Sequence, residues 1–308
     1  MKTFHIVTSA HSCTELIVET NHARKYLEGC RLEEINKAED ADLVLVSTCS
    51  FNQEFEDEAF ANIRNSLKIR KDDAKVLVVG CFPQVAPLSF EEVKDDVVAI
   101  PPRDMKKLEE VIPSDIKYED VEPHKIDINE MLKNEIFMIG VRLKKFFGFL
   151  ERWVPFCSMP TWLDSLPMTD WYMIHAGNGC MGNCTFCAIK HARGKIQSTP
   201  IDVIIPQVEK AVKEGFKTIS FAGTDMGCWG HDLGLNLADL LNEVAKVKGD
   251  FHIDMHYVEP EWILKLQDKL FPIFESGLVK TFGSPVQSGS NRILKLMGRG
   301  YTVEQYIE

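Results

Sequence analysis

The sequence predicts an α/β chain: a doubly wound parallel sheet at its amino-terminal side, followed by a partial (βα) barrel. Three observations predict it. Apolar, β-branched runs recur at 4–8, 43–47 and 76–80, spaced by stretches of helical character such as 15–28 and 54–69. The same alternation resumes at 171 after an irregular, proline-bearing passage. In both halves, cysteines stand just beyond the predicted strands, the edge at which open α/β sheets bind ligands. With 308 residues and 45% hydrophobic content the chain can fill two ordinary cores, so we divide it into domains at 1–112 and 170–308 with a linker at 113–169.

The first predicted strand leads through a short loop to Cys13 and the helix 15–28. Cys30, near the end of that helix, reads as a small core hydrophobe. The second strand runs almost directly into Cys49 and the third into Cys81. Parallel strands joined by crossover helices end along one edge, so these three thiols are expected to converge there as one metal site.

The linker begins acidic and then carries a basic, aromatic stretch at 138–153, with Cys157 and Trp162 beyond it. Its helical spacing reads as an interdomain helix that buries its aromatic face and leaves its lysines wet. A membrane surface or a nucleic acid is the alternative partner for that stretch.

In the carboxyl-terminal half, strands are expected at 171–175, 218–222, 251–255 and 279–286, with helices at 201–214, 236–247 and 261–270. Active residues of such barrels lie on loops beyond the strand ends. The loop after the first strand holds Cys180, Cys184 and Cys187 in the spacing Cys-x3-Cys-x2-Cys. Three thiolates so spaced hold an iron–sulfur cube and leave its fourth iron open to an outside molecule. The alternative is structural zinc, with His191 completing a Cys3His tetrahedron.

A formal charge of −11 repels a polyanion globally, so a nucleic-acid substrate needs a local basic patch. Lys190, His191, Arg193 and Lys195, directly after the cysteine loop, form one suited to phosphates. Nine cysteines without an apolar leader imply free thiols in a reducing compartment, hence a cytoplasmic protein. No apolar run is long enough to span a bilayer.

The cysteine loop, with Phe186 before its last cysteine, resembles the radical S-adenosylmethionine (SAM) enzymes. Ser47-Thr48-Cys49-Ser50-Phe51 and Val79-Gly80-Cys81-Phe82-Pro83-Gln84 resemble two cysteine motifs of the methylthiotransferase amino-terminal domain. The first motif departs from that family, which has Gly-Cys followed closely by Asn where Ser12-Cys13-Thr14-Glu15 stands here. Lys190-His191-Ala192-Arg193-Gly194, the loop 225–234 and the segments 285–290 and 297–301 are similar to the archaeal and eukaryotic tRNA (threonylcarbamoyladenosine) methylthiotransferases.

The resemblance implies two [4Fe-4S] clusters, one on Cys180, Cys184 and Cys187 and an auxiliary one on Cys13, Cys49 and Cys81. It implies SAM on the open iron of the first, with Phe186 beside the adenine and Gly223, Thr224 and Asp225 at the amino group. Gln287, Ser288 and Arg299 fall to the ribose or carboxylate, a guanidinium matching a carboxylate at two points. Thr224 stands near where the methylthiotransferases often have Gln. The implied reaction inserts a methylthio group into a C–H bond, first of all at C2 of a hypermodified adenosine in tRNA. It calls on tRNA, a reductant such as flavodoxin or ferredoxin, and a sulfur donor. A peptide or small-molecule substrate is the alternative. A non-catalytic iron–sulfur or zinc protein, binding RNA or passing electrons, is the reading from a different class. Family barrels have six strands and a small β-barrel domain after them, so a sequence ending soon after a fourth strand reads as truncated.

Overall fold

The computed structural model describes residues 1–9, 13–121, 143, 171–255 and 257–308. The basic stretch 138–153 (Leu143 aside), Cys157 and Trp162 lie outside the described residues.

The amino-terminal sheet has the order β2-β1-β3-β4-β5, all parallel, from β1 (Thr3–Val7), β2 (Glu33–Glu34), β3 (Leu43–Thr48), β4 (Lys75–Gly80) and β5 (Val98–Ile100). Every residue of the central strand β3 is buried, as expected of a near-continuous apolar run with both faces covered. Side chains alternate between those faces. Leu43, Leu45, Leu77 and Val79 pack with Tyr26 and Leu27 of helix α1 (Thr14–Gly29). Val44, Val46, Val76 and Val78 pack with Ala59 and Ile63 of helix α2 (Gln53–Ile69) on the opposite face. The sheet is thereby wound on both sides. Asn52 starts α2 by accepting a hydrogen bond from the Phe55 amide at 3.0 Å.

The second sheet runs β10-β9-β8-β6-β7, from β6 (Trp171–Asn178), β7 (Gln197–Ser198), β8 (Thr218–Gly223), β9 (His252–Met255) and β10 (Val279–Phe282). Its strands are parallel except β7, which pairs antiparallel with β6. Ile174, Ile219, Phe221 and Ile253 fill the core against apolar faces of three later helices, Ile201–Lys213, Leu237–Val244 and Pro260–Glu275. The fourth main strand is shorter than its expected span of 279–286. Gly283 closes the pairing, and the chain beyond it turns through Gln287 at φ +68°. The short strands β2, β5 and β7 had no sequence signal, because two or three residues carry no readable alternation.

The sheets meet along one seam. Val18 of α1 packs on Met173 of β6 and Ala222 of β8. The short helix α3 (Phe82–Val85) after β4 packs on α4 (Ile189–Arg193), which follows the cysteine loop. Among the described residues no helix is long and apolar enough to cross a membrane.

Candidate metal and cofactor site at the domain seam

Two strands deliver cysteines in the same way. β4 ends in Gly80, at φ +110°, and Cys81 follows with its amide donating to the Thr48 carbonyl at 3.1 Å. β6 is followed by Gly179, at φ +85°, and then by Cys180, whose amide donates to the Gly194 carbonyl at 3.2 Å. Such φ values suit glycine alone. Each turn aims the next thiol away from the strand and along the sheet's carboxyl edge.

On the amino-terminal side, Cys13 caps α1, its Sγ accepting from the Leu16 amide at 3.4 Å. Cys49 follows β3, and both Cys49 and Cys81 are buried. The Cys13 thiol donates to Cys49, which holds the Cys49 thiol down to about 7 and pushes that of Cys13 well up, with burial adding to the rise. Burial pushes the Cys81 thiol up to about 12, and the charges of Cys49 and Glu15 add to it. Arg193 favours the ionised form of all three. The structure thus brings the three cysteines into one interacting group, and their donor set fits a thiolate-held cluster. A bound metal cation would ionise thiols that burial alone keeps protonated.

On the other side, Gly182 lies between the thiols of Cys180 and Cys184. A Cβ built there would stand 3.2 Å from one Sγ and 3.5 Å from the other, and the Gly182 amide donates to the Cys180 sulfur at 3.0 Å. A side chain at 182 would press on the Cys180 sulfur, so glycine there leaves the two thiols room. Cys187 closes the loop, its amide bonded to the Cys184 carbonyl at 3.3 Å. A tetrahedral zinc would gather its four donors within about 4 Å of one another. Among the described residues, the His, Cys, Asp and Glu donors that lie within 4.8 Å of one another are Cys180, Asp225 and Cys228, a set that does not include Cys184, Cys187 or His191.

Cys228 donates to the Asp225 carbonyl at 3.2 Å, and its hydrogen bond is the main cause lowering the Cys180 thiol. Only the tertiary turn Met226–Cys228 brings it there. Burial pushes Asp225 up to about 6, although its Oδ1 accepts the amides of Gly227 at 3.0 Å and Glu259 at 3.1 Å. Gly223 ends β8, packed so closely that an added Cβ would meet Met226 Sδ at 2.9 Å. Thr224 accepts the Gly179 amide at 3.0 Å and donates to Glu15 of α1 at 2.5 Å. Its hydroxyl therefore ties the cysteine loop to the other domain.

Phe186 is 50% exposed, and the Arg299 guanidinium lies over its ring, 5.4 Å from the centroid. Arg299 also pairs with Glu259 and bonds to Cys184, which puts it beside the cluster loop with its charge already partnered. Ser288 accepts the Ser290 amide at 3.2 Å, while Gln287 is exposed.

The basic run divides. His191 and Lys195 are exposed, and Lys190 folds back to the Cys184 carbonyl at 3.3 Å. Arg193 departs from the phosphate-binding expectation. Its side chain is 1% exposed and bonds Glu19 at two points, 2.7 and 3.2 Å, and Asn178 at 2.8 Å, with Glu15 at 3.4 Å. Breaking such a buried pair costs about 3–5 kcal/mol, so the arginine is held by the seam and withheld from solvent. Nothing local to the basic run signals this, because Glu19 lies 174 positions away on α1.

His22 and His175 also face the seam, lining a cavity of about 180 Å³ with Glu19, Tyr118, Asn178 and Gln197. Burial holds each imidazole down to about 4. The unfolded chain, with ordinary imidazoles near 6.5, takes up these protons first, so both contributions are complete above pH 6.5 and are lost as pH falls toward 4. Each is worth on the order of 2–3 kcal/mol. We expect urea-unfolding stability to drop across that window, and His22→Gln to flatten about half of the drop. An unchanged slope in the variant would remove His22 from the account.

Known proteins resemble this chain in both halves. The Radical SAM superfamily matches residues 174–308, and Uncharacterized protein family UPF0004 matches residues 5–100. The two matched stretches correspond to the second and the first sheet. A protein of Pyrococcus horikoshii named "Probable threonylcarbamoyladenosine tRNA methylthiotransferase" is 30% identical over 92% of this chain and 59% of its own length. The Aquifex aeolicus protein named threonylcarbamoyladenosine tRNA methylthiotransferase MtaB is 28% identical over 87% of this chain and 59% of its own. The chain thus spans little more than half the length of these curated relatives. Among solved structures, the cobalamin-dependent S-adenosylmethionine radical enzyme OxsB superposes with a TM-score of 0.61 at 14% identity, covering 100% of this chain and 47% of the other. The radical S-adenosylmethionine methyltransferase TsrM of Kitasatospora setae gives 0.56 at 13%, covering 99% and 66%. At these identities the likeness is one of fold.

Proposed function

We propose that this radical SAM chain belongs to a methylthiotransferase that replaces a C–H hydrogen by a methylthio group, with C2 of a hypermodified adenosine in tRNA as the target. The observation that carries the reading is the pairing of two three-cysteine groups across one seam, bridged by Glu15, Thr224 and Gly179. The named relatives supply the substrate class.

Cys180, Cys184 and Cys187 hold the first [4Fe-4S] cluster, and Cys13, Cys49 and Cys81 hold a second. When bound, the first cluster and SAM supply a one-electron cleavage strong enough to abstract an unactivated hydrogen, and the second offers sulfur. The chain's own residues orient these groups. Phe186 presents a half-exposed ring to the adenine, Gly223 leaves room at the strand end, and Asp225 and Thr224 face the amino group. Gln287, Ser288 and Arg299 flank the carboxylate and ribose. His191 and Lys195 form the solvent-facing basic rim for RNA phosphates. A flavodoxin or ferredoxin reductant, a sulfur donor and a reducing cytoplasm complete the requirements.

The test is anaerobic reconstitution with iron and sulfide, then SAM, reductant and tRNA lacking the modification. Mass spectrometry is expected to find 5′-deoxyadenosine together with a methylthio group on the adenosine. 5′-Deoxyadenosine with unmodified tRNA would remove RNA as the substrate, and failure of a fully loaded protein to cleave SAM would remove the enzyme reading.

A further inference from the structure

Arg193 sits six residues after the last cysteine of the loop, yet its guanidinium gives two of its hydrogen bonds to Glu19 of α1, the helix capped by Cys13. It is among the largest fully buried side chains, and its partners Glu15 and Glu19 are only 11% and 8% exposed. The carboxylates of Glu15 and Glu19 lie against it on the helix that Cys13 caps, and its own helix α4 packs on α3, which begins directly after Cys81. Loading a metal there adds thiolate charge to a group already rich in acids. At low local dielectric, one buried cation then weighs heavily on how much negative charge the site accepts.

We propose that Arg193 is the buried counter-charge of the amino-terminal cysteine site, supplied across the seam by the radical SAM domain, and that the Arg193–Glu19 pair sets that site's reduction potential. This rests on the reading that Cys13, Cys49 and Cys81 hold an iron–sulfur cluster. Reduction adds one electron to the cluster and moves no protein bond. A nearby cation stabilises the reduced form and a nearby carboxylate opposes it. Because Asn178, one residue before Gly179, accepts from the same guanidinium at 2.8 Å, the counter-charge is fixed to the strand that carries the other cluster loop. The amino-terminal site thus has its full potential only when the domains are docked.

The experiment uses the full chain with Cys180, Cys184 and Cys187 replaced by alanine, loaded anaerobically with iron and sulfide and titrated potentiometrically by electron paramagnetic resonance. Arg193→Gln is expected to shift the midpoint to more negative potential, Glu19→Gln to shift it to more positive potential, and Arg193→Lys to stay near the parent. Opposite signs from two substitutions in one pair cannot come from loosened packing alone. Should Arg193→Gln fail to hold iron, the positive shift in Glu19→Gln carries the test. Iron bound with unchanged midpoints, or shifts of one sign in both variants, overturns the counter-charge alone. A parent that binds no iron overturns the cluster reading and this inference with it.

Discussion

Exchanging Cys184 for alanine is expected to abolish SAM cleavage, with 5′-deoxyadenosine falling to background, and to lower the iron from about eight to about four per chain. The thiol of Cys184 shares the Gly182 cradle with Cys180 and takes a hydrogen bond from Arg299, so nothing nearby substitutes for it as a third ligand. Cys228 lies against Asp225 on the Cys180 side. Cys49→Ala is expected to give the complementary result: the same loss of iron, SAM cleavage retained, and no methylthio product. Iron counting and product analysis on the two variants assign each site its step. If Cys49→Ala loses no iron, the amino-terminal group is not a cluster site, and if it loses SAM cleavage as well, the two sites do not act separately.

Much of this arrangement was legible before any coordinates. The buried run Leu43–Thr48 and the alternation of strands with helices placed Cys49 and Cys81 at strand ends, and the Cys-x3-Cys-x2-Cys spacing is local enough to read directly. What escaped reading has a common physical cause. The seam uses the α1 residues Glu15 and Glu19, acidic side chains that are buried because partners far along the chain, Thr224 and Arg193, satisfy them. A sequence pattern marks such residues as solvent-facing. Arg193 was misread for the same reason. A charge within a basic run looks like a solvated face until its acidic partner is located. Cys228 needed the turn after β8 to bring it near Cys180, which no periodicity encodes.

The second large effect is expected from the two glycines that precede ligand cysteines. An alanine Cβ at position 80 would stand 2.1 Å from the Thr48 carbonyl oxygen, the same oxygen that accepts the Cys81 amide. At position 179 it would stand 2.3 Å from the Lys195 oxygen and 2.9 Å from the Gly194 oxygen, which accepts the Cys180 amide. Both contacts are with backbone, so no side chain can swing aside. Relief must come from moving the strand end that aims the thiol. Gly215 supplies the comparison, with φ +91° and nothing within 4 Å of an added Cβ. Gly215→Ala should therefore cost only the backbone strain, about 1–2 kcal/mol. Gly80→Ala should cost more than about 3 kcal/mol in urea unfolding, because strain and collision add. It should also lose iron from the amino-terminal site, and Gly179→Ala should lose it from the other. If Gly80→Ala proves no worse than Gly215→Ala and keeps its iron, the tight strand end does not hold Cys81 in place. The thiol would then be positioned by the metal itself rather than by the fold.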